Sequence, residues 1–194
     1  MNNAEYIASA IKQFQYYKLL GEKAMEQIPD DKLNWQYNPE TNSVAIIVKH
    51  LWGNMMSRWI DFLTKDGEKV WRDREAEFVN DITTRKELLE KWEEGWSALF
   101  DAMNLVAKTP DYLERTIYIR NLGHTIMEAT NRQISHYAYH VGQIVHIGKM
   151  IQSENWKSLS IPRGKTSEYN AAKFSQPPRR EHFTEEFVKR MEEK

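Results

Sequence analysis

Four stretches between Ala4 and Gln152, each about 20 to 27 residues long, repeat apolar side chains every three or four positions. That spacing covers one face of an α-helix and excludes the strict alternation of a half-buried strand. Few residues interrupt it. The chain of 194 residues has only eight Gly and six Pro, and Pro162, Pro177 and Pro178 fall near its end. The first stretch runs from Ala4 to Ile28, with Ile7, Ile11, Phe14, Leu19 and Met25, and Pro29 ends it. The second opens at Ser43, a good N-cap, and passes through Ile47, Leu51, Met55, Trp59 and Leu63 to a stop at Gly67. The third starts at Thr84, with Glu87 three residues on, and continues through Leu88, Trp92, Trp96, Leu99 and Met103 toward Pro110. The fourth, Ile126 to Gln152, has a second capping box in Thr125 and Glu128.

Four such helices predict an all-α four-helix bundle. Thr116 to His124 is β-rich and turn-like, which suggests a small hairpin before the fourth helix. Beyond Ser153 the chain becomes loop-like, then charged from Thr184 onward, with Phe187, Val188 and Met191 spaced for one short helix. The expected organisation is a bundle domain over 1–170 and an extension over 171–194, packed on the bundle or on a partner subunit.

The charges narrow the function. Twenty-seven Lys plus Arg against 28 Asp plus Glu leave a net charge of -1, which is not the footprint of a general nucleic-acid or anionic-membrane binder. No apolar run approaches the roughly 20 residues that span a bilayer, so neither partner is expected. The segment Met1 to Glu5 lacks the features of a secretory signal, and there is no cysteine. These point to a cytoplasmic protein without disulfides or thiolate ligands. Chemistry must then come from histidines, carboxylates, hydroxyls or a borrowed group.

Six histidines are present, and His136 and His140 stand i, i+4 on the fourth helix, where both project from one face. Gln133 and Gln143 share that strip inside an otherwise apolar helix, so they need buried partners. His50 on the second helix, beside the small Gly53 and Ser57, is a third candidate. Three imidazoles from facing helices, with a position left open, describe a catalytic rather than a structural zinc site. Imidazole also suits nickel, iron and copper. His146 falls well off the strip and is not counted. The alternative is two exposed or internally hydrogen-bonded histidines with no metal. Arg72 and Arg74, in a charged run, would grip a substrate carboxylate if that run lies at a pocket mouth, or form a solvated loop. The tryptophans at 52, 59, 71, 92, 96 and 156 read as core rather than as a base-stacking platform. No nucleophile elbow, phosphate loop or dinucleotide fingerprint occurs.

The string His136-Tyr137-Ala138-Tyr139-His140-Val141-Gly142-Gln143-Ile144, preceded by Asn131-Arg132-Gln133, resembles the fourth-helix motif of the DinB/YfiT-like superfamily. Lys49-His50-Leu51-Trp52-Gly53-Asn54 resembles its second-helix histidine motif. Asp66-Gly67-Glu68-Lys69 with Arg72, and Leu159 to Lys165, are similar to a subfamily of uncharacterised bacterial proteins. The resemblance implies a four-helix bundle, often a homodimer, with a divalent metal, zinc or nickel, on His50, His136 and His140. It further implies thiol chemistry: relatives include bacillithiol and mycothiol S-transferases and a mycothiol-dependent isomerase, while others are described as metal-dependent hydrolases. The expected partners are a small thiol and an electrophilic small molecule, with Asn54, Gln143, Arg72 and Arg74 as candidate substrate-orienting groups. Hydrolysis by metal-bound water is the alternative, and a non-enzymatic bundle is the third reading.

Overall fold

A computed structural model describes residues 2–193. The long helices are α1 (Asn3–Glu26), α2 (Val44–Trp59), α3 (Arg85–Lys108) and α4 (Ile126–Gln152), followed by the short α5 (Thr166–Phe174) and α6 (Phe183–Glu192). Among the described residues the fold is all-α apart from one two-stranded hairpin, β1 (Thr116–Ile119) and β2 (Leu122–Thr125). No helix among the described residues is long and apolar enough to cross a membrane.

The helix starts follow their caps. Ser43 accepts the Ile46 amide and Thr84 accepts the Glu87 amide. Thr125 and Glu128 form the full reciprocal box, and so do Asn2 and Glu5 at the start of α1. At Thr84 the return bond is shifted by one residue, because Glu87 accepts from the amide of Thr83.

α2 packs on α3 and α1 on α4, while α1–α3 and α2–α4 contacts close the four around a shared core. α2 is the most enclosed: Val44 to Val48 are all buried, as are Leu51, Met55 and Trp59. A helix apolar on nearly every side must lie inside, so its polar Asn54, Ser57 and Arg58 are held away from bulk water. Phe14, Trp92, Trp96 and Tyr137 fill the centre, and Trp96 meets Tyr137 edge-on at 5.6 Å.

α2 ends at Trp59, earlier than the apolar spacing to Leu63 predicts. Ile60 is extended and Asp61 takes a left-handed conformation (φ 54°), which turns Phe62 back onto the Trp59 ring at 5.8 Å. The left-handed Asp61 breaks the helical hydrogen-bond ladder, a break that apolar spacing alone does not reveal.

The segment from 60 to 83 then crosses the protein as a strap pinned at both ends. Near one end, the Asp66 carboxylate accepts the amides of Glu68, Arg120 and Asn121, at 2.7, 2.8 and 2.8 Å. Arg120 and Asn121 are the hairpin turn, both with positive φ, as a tight two-residue turn requires. At the other end Ile82 is buried, Asn34 donates to its carbonyl at 2.8 Å, and Lys49 pairs with Asp81 at 2.6 Å.

Two further expectations change. Trp71 lies on the strap and is 54% exposed, so it is not core. Beyond Ser153 the chain forms two short α-helices, α5 and α6, rather than one. α6 packs on α1, with Phe183 and Phe187 against Tyr16 and with Met191 buried.

Phe14 is fully buried against Trp96 and Tyr137. Phe14→Ala should lower the unfolding free energy in urea by about 3–5 kcal/mol, with little change in the far-ultraviolet helical signal of the folded state.

Candidate metal centre

His50 on α2 faces His136 and His140 on α4. Their rings lie 4.7 to 5.3 Å apart, centre to centre. The Nε2 atom of His136 is 3.2 Å from that of His50 and 3.1 Å from that of His140. One donor atom from each residue lies within 4.8 Å of the others, a group able to hold a metal ion. His140 is buried, and His50 and His136 are half-buried. The i, i+4 spacing of His136 and His140 thus does what a shared helical face allows, and the packing of α2 on α4 supplies the third ring.

The outward nitrogens fix the tautomers. His50 Nδ1 is 2.8 Å from Glu77 Oε2, and His140 Nδ1 is 2.8 Å from Gln143 Oε1. Both oxygens are acceptors, so each Nδ1 carries a proton and each Nε2 presents a lone pair to the centre. A proton on His136 Nε2 satisfies one of those lone pairs and leaves the other facing it unpaired. A cation shared by the three nitrogens satisfies all of them, so the donor set fits a divalent ion.

Burial, reinforced by the neighbouring His140 and His50, pushes the His136 imidazole from its ordinary 6.5 down to about 3. His140 falls to about 4, again mainly through burial. Both rings therefore stay neutral, the form that ligates metal, well into acid.

Glu77 is the residue that the sequence reading missed. It is buried on the strap, 27 residues from His50, in a segment with no helical or strand period to place it. Arg72 Nε donates to its Oε1 at 2.7 Å and Arg72 Nη2 to its Oε2 at 3.1 Å. Burial alone would raise the Glu77 carboxyl, but hydrogen bonds from His50 and Arg72 and the Arg72 charge hold it below its ordinary value. Gly53 makes the space: a Cβ there would stand 2.5 Å from Glu77 Oε1. Arg72 Nη1 also donates to Ser57 Oγ at 3.0 Å. Gly53 and Ser57, noted in sequence as small residues beside the imidazole, accommodate this brace.

The other candidates are placed as follows. Gln143 orients His140. Asn54 is buried and accepts from Tyr137 Oη at 3.2 Å, and Trp59 Nε1 donates to the same hydroxyl at 3.1 Å. Arg72 is committed to Glu77 and Ser57, and Arg74 is exposed on the strap. Gln133 is buried with its Oε1 unpartnered among the described residues. Glu128 is held by its cap, and His146 is exposed away from the triad.

A family model for proteins of unknown function, DUF1572, matches residues 2–165. The chain belongs to that family. Its match takes in the triad, the strap and the hairpin, and stops at the start of α5. No curated protein and no solved structure matches the chain.

Two outcomes follow from this geometry. Replacing Glu77 with Ala should weaken metal binding about 10- to 100-fold in a competition titration while leaving the helical signal in place. The second concerns pH. The folded values of His136 and His140 lie below the unfolded value of 6.5, so below that pH the unfolded chain takes up protons that the folded one does not. Their contribution to stability is complete above about pH 6.5 and is lost as pH falls through about 4 and then 3. Chelator-treated protein should melt at progressively lower temperature across that window, and His136→Gln should flatten the dependence.

Proposed function

We propose that the protein is a divalent-metal-dependent enzyme of the DinB/YfiT-like type, a four-helix bundle that transfers a small thiol to an electrophile. On this reading it works in the cytoplasm as a homodimer, with zinc or nickel on His50, His136 and His140. The observation that carries the reading is the convergence of three imidazoles next to a carboxylate that is already fully engaged. A dication held by those rings lowers the pKa of a small thiol and makes its thiolate available at neutral pH.

The chain's own groups do the rest. Glu77 and Gln143 hold the proton on the outward nitrogens of His50 and His140, so that the inward lone pairs stay available. Arg72 neutralises Glu77 and keeps that carboxylate on His50 rather than at the centre. The Trp59–Tyr137–Asn54 chain closes the buried side with satisfied hydrogen bonds. In the transfer the thiol would lose its proton to solvent, its sulfur would bond to the electrophilic carbon, and the leaving group would depart with the electron pair of the bond it breaks. Absence of cysteine from the chain agrees with a borrowed nucleophile.

Hydrolysis by the same centre is the weaker reading. Glu77 is the carboxylate in contact with the triad, and two hydrogen-bonded partners occupy it, so it is not free to take a proton from water.

Elemental analysis should find about one equivalent of zinc or nickel per chain, lost in His136→Ala. Metal-loaded protein should accelerate conjugation of small thiols to an aryl halide, and chelation should abolish the rate. Stoichiometric metal with no acceleration for any thiol, but with chelator-sensitive ester or amide cleavage, would overturn the transferase in favour of the hydrolase.

A further inference from the structure

Five glycines lie within the α-helices: Gly21, Gly53, Gly95, Gly142 and Gly148. Glycine weakens a helix interior, so each needs a reason. Four have one in the fold. A Cβ would stand 2.6 Å from Trp92 at Gly21, 2.5 Å from Glu77 at Gly53, 3.2 Å from Met55 at Gly95, and 2.7 Å from Trp156 at Gly148. At Gly142, in the middle of α4, a Cβ would meet nothing within 4 Å. The protein itself does not require a bare backbone there.

Gly142 lies in the wall of a cleft of about 710 Å³ formed with Trp35, Tyr37, Ile47, Tyr139 and Gln143. Tyr37 is 70% exposed and Tyr139 63%, so two aromatic side chains at this cleft are left largely uncovered. Gln143 is also the residue whose carbonyl holds His140 Nδ1 at 2.8 Å. Other clefts of similar size, one beside Glu22 and Arg85 and one between Trp59 and Leu105, include neither a triad histidine nor a residue hydrogen-bonded to one. The cleft contains no Lys or Arg, and its lining includes Glu40 and His146, so no fixed positive charge stands there to hold a carboxylate or phosphate.

We propose that this cleft binds a small, neutral, flat aromatic molecule, which lies on the bare backbone of Gly142 between Tyr37 and Tyr139. Volume, aromatic lining and a few polar groups suit such a ligand, and a bare helix backbone lets a ring approach more closely than any side chain would. The contact of Gln143 with His140 couples the cleft to the triad. The proposal goes beyond the transferase reading and does not rest on it: no triad histidine lines the cleft, and Gly142, two residues on from His140, faces about 160° away from it around the helix.

The test uses the full chain and the neutral fluorescent probe N-phenyl-1-naphthylamine, titrated into chelator-treated and zinc-loaded protein. Saturable binding of one equivalent is expected in both, so a failure of the metal reading leaves this measurement intact. Gly142→Leu projects into open space and should keep or raise the melting temperature while weakening probe binding at least tenfold. Ala98→Leu, which fills the cleft between Trp59 and Leu105, should leave probe affinity unchanged. The proposal is overturned if the wild-type protein shows no saturable binding, if Gly142→Leu binds as well as wild type, or if Ala98→Leu is the variant that loses the probe. It is equally overturned if sedimentation shows a wild-type dimer that Gly142→Leu dissociates, because a second copy then covers the cleft.

Discussion

A buried carboxylate organises this protein's polar interior. Glu77 lies against His50 on one side and the Arg72 guanidinium on the other, in a space kept open by Gly53 and flanked by Ser57. An isolated charge in that position would be costly, and Arg72 is the partner that makes its burial tolerable. Removing either partner would leave the other uncompensated, so the strap, α2 and the histidine triad are held in one arrangement.

The strap explains how an irregular segment delivers a side chain with the precision of a helix. Its anchors are polar and local: Asp66 holds the hairpin turn through three amides, and Lys49 and Asn34 hold the far end. Its buried apolar groups, Phe62 and Ile82, stand near those anchors. The hairpin therefore contributes to the centre without touching it, by fixing the loop that carries Arg72 and Glu77. This is the usual division between a rigid scaffold and a loop that carries polar groups, and here the loop group, Glu77, hydrogen-bonds a histidine of the triad.

The same histidines tie two parts of the molecule together. His50 leads inward through Glu77 to the strap, and His140 leads outward through Gln143 to the aromatic cleft. One side is sealed and charge-balanced, and the other is open and lined by largely exposed tyrosines. α5 and α6 lie outside the matched family region, and α6 covers α1 rather than the centre.

Much of the fold was legible in the residues. Apolar periodicity and caps at Ser43, Thr84 and Thr125 marked three helix starts, and Pro29 marked the approximate end of α1, because these signals act within one or two turns of chain. The i, i+4 spacing placed His136 and His140 together for the same local reason. His50 was legible as a candidate through its small neighbours, but only the packing of α2 on α4 brings it within reach. The early end of α2 at Trp59, the exposure of Trp71, the burial of Arg72 and the approach of Glu77 to His50 were decided by tertiary structure alone. Each depends on contacts between segments distant in sequence or on a reversal of the chain, and neither helical period nor charge pattern carries information about such contacts.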